Sequence, residues 1–168
     1  SKTQGILTYY YRIDPAVSQE TKGFWYTNLD GNGFVEHEVT DITHYDTSDT
    51  SALVWFTVPK ATGKAVWLPP YVTDNLDVTV LSYNMPVYCG GTFVGVIGIE
   101  LDYMAIADHV EHIRLYDDGY AFINDDTGYI VYHPEMTDEE LELERNRQSP
   151  TGMLAENSLI RYTWKGVE

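Results

Sequence analysis

Residues Trp67–Glu100 read WLPPYVTDNLDVTVLSYNMPVYCGGTFVGVIGIE, and this stretch decides the fold. It holds two strand-like runs, Asp77–Tyr88 and Phe93–Leu101, rich in β-branched and aromatic residues. Between them, Cys89-Gly90-Gly91-Thr92 supplies the permissive backbone a hairpin needs. In front, Trp67-Leu68-Pro69-Pro70-Tyr71 holds two aromatics on a stiff proline pair. Side chains alternate faces along a strand. The second run therefore predicts Phe93, Gly95, Ile97, Ile99 and Leu101 on one face, with Val94, Val96, Gly98 and Glu100 on the other. On that second face one acid closes a surface made of valines and a side-chain-free glycine. A small concave site would be built that way. Pattern alone favours a plainer reading, an edge-strand carboxylate in water, because Asp and Glu are mostly exposed.

The whole chain sets the frame. Its 168 residues suit one domain, or one and a part, and 43% are hydrophobic, enough for a sizeable core. Fourteen Tyr and four Trp favour strands and ligand-facing surfaces. Ten basic against 26 acidic residues give a net charge of -16, which argues against nucleic acid and anionic membrane surfaces as partners. The single cysteine, Cys89, excludes an internal disulfide and a thiolate zinc site. No apolar run approaches the roughly 20 residues that span a bilayer, and no stretch of the sequence reads as a signal peptide; a membrane-anchored native protein would make this chain an excised soluble part.

Along the chain, Gly5–Arg12 predicts a strand stopped by Asp14-Pro15. Phe24–Asn28 and Phe34–Glu38 flank Asp30-Gly31-Asn32-Gly33, a strong hairpin signal. His37–Ser51 is acidic and predicts a loop, with a short helix from Asp46. Trp55-Phe56 precedes Pro59 and a turn at Thr62-Gly63-Lys64. After the central hairpin, Asp102 is a good N-cap. Tyr103, Ile106, Val110 and Ile113 form one helical stripe, and Asp117-Asp118-Gly119 is expected to end that helix. Tyr120–Asn124 and Tyr129–His133 predict another hairpin. Thr137-Asp138-Glu139-Glu140 is a capping-box start for an acidic helix. Gln148–Asn157 predicts a loop and Ser158–Trp164 a strand, after which the sequence stops as if cut mid-sheet. This order predicts an α+β architecture with antiparallel sheets and a boundary near Leu115–Gly119.

Motifs with chemical potential are weak. Asp30-Gly31-Asn32-Gly33 lacks the later ligands of a calcium loop and is a turn. His109 and His112 are three apart, where the metalloprotease pattern needs four, so they belong to a solvated face. The acidic runs at Asp125-Asp126 and Glu139-Glu140 are solvated too. There is no nucleophile elbow and no phosphate-cradling glycine loop. Cys89 has no His or basic neighbour in sequence. No metal and no cofactor are expected. What remains is aromatic: Trp25-Tyr26, Trp55-Phe56, Trp67, Tyr71 and Tyr83. Each alone reads as core; with Glu100 they could cage a small ligand carrying a cation or hydroxyls.

The ordered series Gly23-Phe24-Trp25-Tyr26, Trp55-Phe56, Trp67-Leu68-Pro69-Pro70-Tyr71, Leu81-Ser82-Tyr83 with Pro86, and Gly95-Val96-Ile97-Gly98-Ile99-Glu100 resembles the double Cache family. These are PAS-like extracytoplasmic sensor domains of bacterial chemoreceptors, histidine kinases and diguanylate cyclases. Tyr116–Ile123, Gly128–Pro134 and Tyr162–Val167 resemble the family as well. The resemblance implies a PAS-like antiparallel sheet flanked by helices, in tandem. Residues 1–113 would be the membrane-distal ligand-binding module and 114–168 the truncated start of a membrane-proximal one. It implies a membrane-anchored parent, a long N-terminal helix missing here, and a homodimer through that helix. In the family's amino-acid-binding branch an Arg two residues before the Trp holds the ligand carboxylate. An Asp ending the glycine-rich strand takes the amine. Here Trp55 and Tyr71 match and Glu100 stands at the Asp position. The Arg position is Leu53, the second aromatic is Phe56, and an acid is replaced by Thr73. Leu cannot replace a bidentate donor, so an amine, a nucleobase-like ring or another neutral or cationic metabolite is expected rather than an amino acid, with an empty or purely structural pocket as the alternative. The expected site is Trp55, Phe56, Trp67, Tyr71, Thr73, Tyr83 and Glu100, and the resemblance moves Glu100 from solvent into the pocket. Two rival classes stay open: a carbohydrate-binding module, which predicts a flat exposed aromatic row, and a hydrolase using Glu100 and Asp102.

Overall fold

A computed structural model describes residues 5–73, 76–116, 119–125 and 128–146. The chain divides into two compact units, Ser1–Ile106 and Ala107–Glu168. The first is built on a six-stranded antiparallel sheet. Its strands are β1 (Ile6–Ile13), β2 (Gly23–Thr27), β3 (Val35–His37), β4 (Val66–Val72), β5 (Thr79–Cys89) and β6 (Thr92–Asp102), in the order β3-β2-β1-β6-β5-β4. The sheet's two longest strands, β5 and β6, come from the stretch Trp67–Glu100, β6 running two residues past its end. Cys89 pairs with Thr92, leaving the two-residue turn Gly90-Gly91. Both glycines take positive φ, 57° and 84°, as a turn of the primed type demands.

The predicted alternation holds over Val96–Glu100. Val96, Gly98 and Glu100 are buried, and Ile97 on the other face is exposed. It fails at Phe93. Tyr88 pairs with Phe93 but Val87 pairs with Gly95, so Val94 is an extra, bulged residue. The bulge turns Phe93 onto the Val96 face, where it packs on the core of Ile42, Phe56 and Val96. The Val94 carbonyl, freed from the ladder, accepts the Asp14 N–H at 2.9 Å.

The segment Val54–Thr62 forms helix α1, which lies against β5 and β6. Its sequence, VWFTVPKAT, mixes β-branched residues with a proline, so no helical stripe was legible there. Tertiary contacts make it helical: Phe56 is fully buried, and the Thr57 hydroxyl donates to the Ala52 and Leu53 carbonyls. Leu53, ahead of the helix, sits in the left-handed region at φ 48°. Lys60 ties α1 to the end of β1 by an ion pair with buried Asp14 at 2.6 Å, and it also donates to Thr47. Asp46 and Asp49 accept from Ser48 and Ser51 in tight turns, so the short helix expected from Asp46 does not form.

Helix α2 (Tyr103–Glu111) begins where expected: the Ala105 N–H donates to Asp102 Oδ1 at 3.0 Å. It ends sooner than Asp117-Asp118-Gly119, because the chain pairs again at once as β7 (Arg114–Leu115) with β8 (Gly119–Tyr120). The second unit continues with the hairpin β9 (Ile123–Asn124) and β10 (Ile130–Tyr132), then α3 (Asp138–Asn146). Thr137 and Glu140 cap α3 reciprocally, as the capping box predicts. Ile130, Val131 and Leu141 are buried in this unit. The expected loop Gln148–Asn157, the strand Ser158–Trp164 and the resemblance at Tyr162–Val167 lie outside the described residues. No helix among the described residues is long and apolar enough to cross a membrane.

Candidate functional site

The pairing register decides which side chains share a face, since partners directly opposite project to the same side. One row on the inner face runs Trp25–Tyr10–Gly98–Asn84. The next row runs Thr27–Thr8–Glu100–Ser82. Above these rows opens a cleft of about 480 Å³, including its open mouth, lined by Tyr10, Arg12, Trp25, Trp55, Thr73 and Glu100 with Thr40 and Leu76 nearby.

Tyr10 is a fixed part of the lining. Its hydroxyl donates to Asn84 Oδ1 at 2.5 Å and lies 3.3 Å from Ser82 Oγ. Asn84 in turn donates to Ser82 Oγ at 2.7 Å. The ring lies over Gly98, where a Cβ would come within 2.6 Å of Tyr10 Cζ and 2.5 Å of Asn84 Oδ1. Glycine is therefore required at Gly98 by close approach. Trp55 meets Tyr10 edge to face at 5.2 Å, and Trp25 donates its indole N–H to Thr8 at 2.9 Å. Burial, with the field of Glu100 added, holds the Tyr10 pKa well above its ordinary value.

Glu100 is 7% exposed. Tyr71 donates to its Oε1 at 2.9 Å, and no cation pairs with it among the described residues. Desolvation raises its pKa, and the Tyr71 hydrogen bond pulls the other way. Desolvation and the same carboxylate raise the Tyr71 pKa.

Of the residues expected from sequence, Trp55, Thr73 and Glu100 line the cleft, and Tyr71 stands behind Glu100 as its donor. Phe56 does not reach it; it is fully buried in the core. Trp67 and Tyr83 lie across the sheet. They pair with each other and, through Tyr83, with Ile99, on the face opposite Glu100. A single cage of all seven is excluded by the period of two. Tyr9 and Tyr26 stack at 5.0 Å on that same outer face. Sequence reasoning missed Tyr10 and Arg12, and it named Trp25 among the candidate cage aromatics but left it out of the expected site. The signal was present: in Tyr9-Tyr10-Tyr11-Arg12 alternation puts Tyr10 and Arg12 together.

Arg12 is 1% exposed. Its Nε donates to the Thr40 carbonyl, and Nη1 donates to the Ile13 and Lys22 carbonyls. Asp102, the second acid of the hydrolase alternative, caps α2 and does not line the cleft. His109 on α2 and His112 just past its end are exposed, and no group of three metal-ligating side chains occurs among the described residues.

Solved structures share this fold. One is the extracellular domain of a protein assigned as histidine kinase mmHK1S-Z2, 22% identical, covering 79% of this chain and 52% of that one, TM-score 0.56. A second is the corresponding domain of mmHK1S-Z3, 21% identical over 84% of this chain and 58% of that one, TM-score 0.58. A third is Methyl-accepting Chemotaxis protein X, 15% identical over 80% and 53%, TM-score 0.57. The chain spans about half the length of these structures. Residues 2–108 match the family described as methyl-accepting chemotaxis protein-like, first PDC sensor domain. The chain belongs to that family of sensor domains.

Proposed function

We propose that the cleft between the sheet and α1 senses a small cationic metabolite, held by its ammonium group on Glu100. The observation that carries this reading is a buried carboxylate with a tyrosine donor but no cation among the described residues. Such a charge is costly until a partner neutralises it. Tyr10, Trp25 and Trp55 offer rings on which an amine and its apolar body can rest. Residues 1–113 are proposed as the membrane-distal module and 114–168 as the start of a proximal one. The parent is proposed to be a membrane-anchored receptor, dimeric through a helix ahead of β1, with a kinase, cyclase or methyl-accepting output. Ligand binding signals in such a receptor only if the cleft differs between two receptor states.

A thermal-shift screen of primary amines against the wild type and Glu100→Gln tests the site. At about 100-fold excess over Kd a ligand adds about 2.7 kcal/mol, an easily read rise in Tm. Amines should shift the wild type and not the variant. Absence of any shift, or shifts intact in Glu100→Gln, sinks the assignment.

A further inference from the structure

Beneath the floor of the cleft lie Ser82 and Asn84, two apart on one face of β5 and both fully buried. The backbone ladder of β5 needs neither side chain, and burying a polar group is costly unless it is paired. Each of their hydrogen bonds has a direction. Asn84 Oδ1 accepts the Tyr10 O–H, so Asn84 Nδ2 is the atom that donates to Ser82 Oγ. Ser82 Oγ then has one hydrogen of its own to place. Tyr10 Oη is 3.3 Å away, long for a pair of hydroxyls. The other acceptor is Tyr71, which spends its own hydrogen on Glu100, the residue directly opposite Ser82 in the register. Burial and the field of Glu100 raise the Tyr71 pKa, and a hydrogen bond from Ser82 pulls the other way. A chain of donors ending on a carboxylate is stronger than a neutral ring of three, because each link polarises the next. The Ser82 hydrogen therefore goes to Tyr71. The donors run one way, from Tyr10 through Asn84, Ser82 and Tyr71 to Glu100.

We propose that Ser82, oriented by Asn84, is a positioning residue of the site: its hydroxyl occupies the Tyr71 oxygen, holds Tyr71 as a donor to Glu100, and so keeps Glu100 a carboxylate ready for a cation. Its use in sensing rests on the cation reading of Glu100. A protonated Glu100 needs an acceptor for its hydrogen, and the oxygen beside it, on Tyr71, is already taken. An ionised Glu100 needs a donor, and the chain supplies one. Among the described residues, the titratable and charged groups that face Glu100 are Tyr71 from β4, Tyr10 from β1 and, two rows away, Arg12. From β5 come the neutral Ser82 and Asn84, and from α1 comes Trp55. No fixed positive charge lies next to the carboxylate, so the hydrogen-bond chain sets how far into acid it survives. A cleft built this way goes on binding a cation at a pH where a bare buried Glu is neutral.

Carbon NMR of the Glu100 carboxyl in the free 168-residue chain tests this without any ligand, the signal being identified by its loss in Glu100→Gln. Ser82→Ala should move the titration midpoint upward, and a folded Ser82→Thr, which keeps the hydroxyl, should bring it back. Calorimetry with pentylamine adds the functional readout. On the acid side of the midpoint Ser82→Ala should bind about tenfold more weakly than the wild type. At alkaline pH, where both proteins carry the carboxylate, the difference should vanish. Damage to the structure alone would weaken binding equally at every pH. An unmoved midpoint in Ser82→Ala overturns the proposal, and so does a folded Ser82→Thr that titrates like Ser82→Ala. A moved midpoint in a protein that binds no pentylamine upholds the role of Ser82 and sinks the cation reading instead. If Ser82→Ala does not fold, Ser82→Cys decides, since it keeps the volume with a much weaker donor. Its midpoint must then lie above that of the wild type, and equality overturns the proposal.

Discussion

Burial raises the Glu100 pKa, so ionising this side chain costs the free fold energy that a bound cation returns. The two pH dependences therefore run in opposite directions. The folded protein holds the proton more tightly than the unfolded chain. Glu100's contribution to stability is thus fully present below the ordinary Glu pKa and is lost as pH rises through the raised folded value. Amine affinity needs the carboxylate, so it should climb with pH over that same interval. Calorimetric titration of pentylamine against pH, beside Tm measured against pH, checks both signs. Glu100→Gln should flatten both curves. It should also raise the Tm of the free protein at neutral pH by about 4 °C, on the order of 1 kcal/mol. At Gly98 the constraint is steric. Gly98→Ala pushes Cβ into Tyr10 and Asn84 and should cost about 1–3 kcal/mol by urea unfolding, with weakened amine binding.

Among the elements, α1 is the piece that sequence reading did not find and the site cannot do without. Period-two alternation made the strands legible, and it correctly placed Glu100 beside Gly98 and Val96. Caps and turn glycines made the starts of α2 and α3 and the central hairpin legible in the same way. The helix at Val54–Thr62 has neither a helical stripe nor a side-chain cap, and it exists because Phe56 is buried beneath it. The bulge at Val94 was equally silent, since one extra residue leaves no compositional mark. Both faces of the sheet carry aromatics, so composition could not tell Trp55 in the cleft from Trp67 outside it. Because α1 lacks its own propensity, its anchor to β1 should matter. Lys60→Ala leaves Asp14, 3% exposed, without its partner, and should cost about 2 kcal/mol in chemical denaturation. The double variant with Asp14→Ala should recover part of that loss.

At the scale of the whole molecule, the proposed division into two modules makes its own prediction. Leu141, 4% exposed, lies in the second unit. Leu141→Ala should lower that unit's stability by about 2–4 kcal/mol, while amine affinity in the first unit stays unchanged; hydrogen exchange read separately over the two units would show it. A loss of affinity in that variant would tie the units together and defeat the division. The open sheet of the first unit also has two borders, and their character limits how such sensors can associate. One border, β3, is three residues long. The other, β4, carries Pro69 and Pro70 between its paired positions Leu68 and Tyr71, and neither proline has an N–H to offer a newcomer. A rim of three residues and a rim interrupted by two prolines are both poor templates for another strand, which disfavours sideways extension of the sheet into a continuous ribbon. At high local density this favours contacts between such domains through a sheet face or a helix over strand-to-strand pairing at the rims.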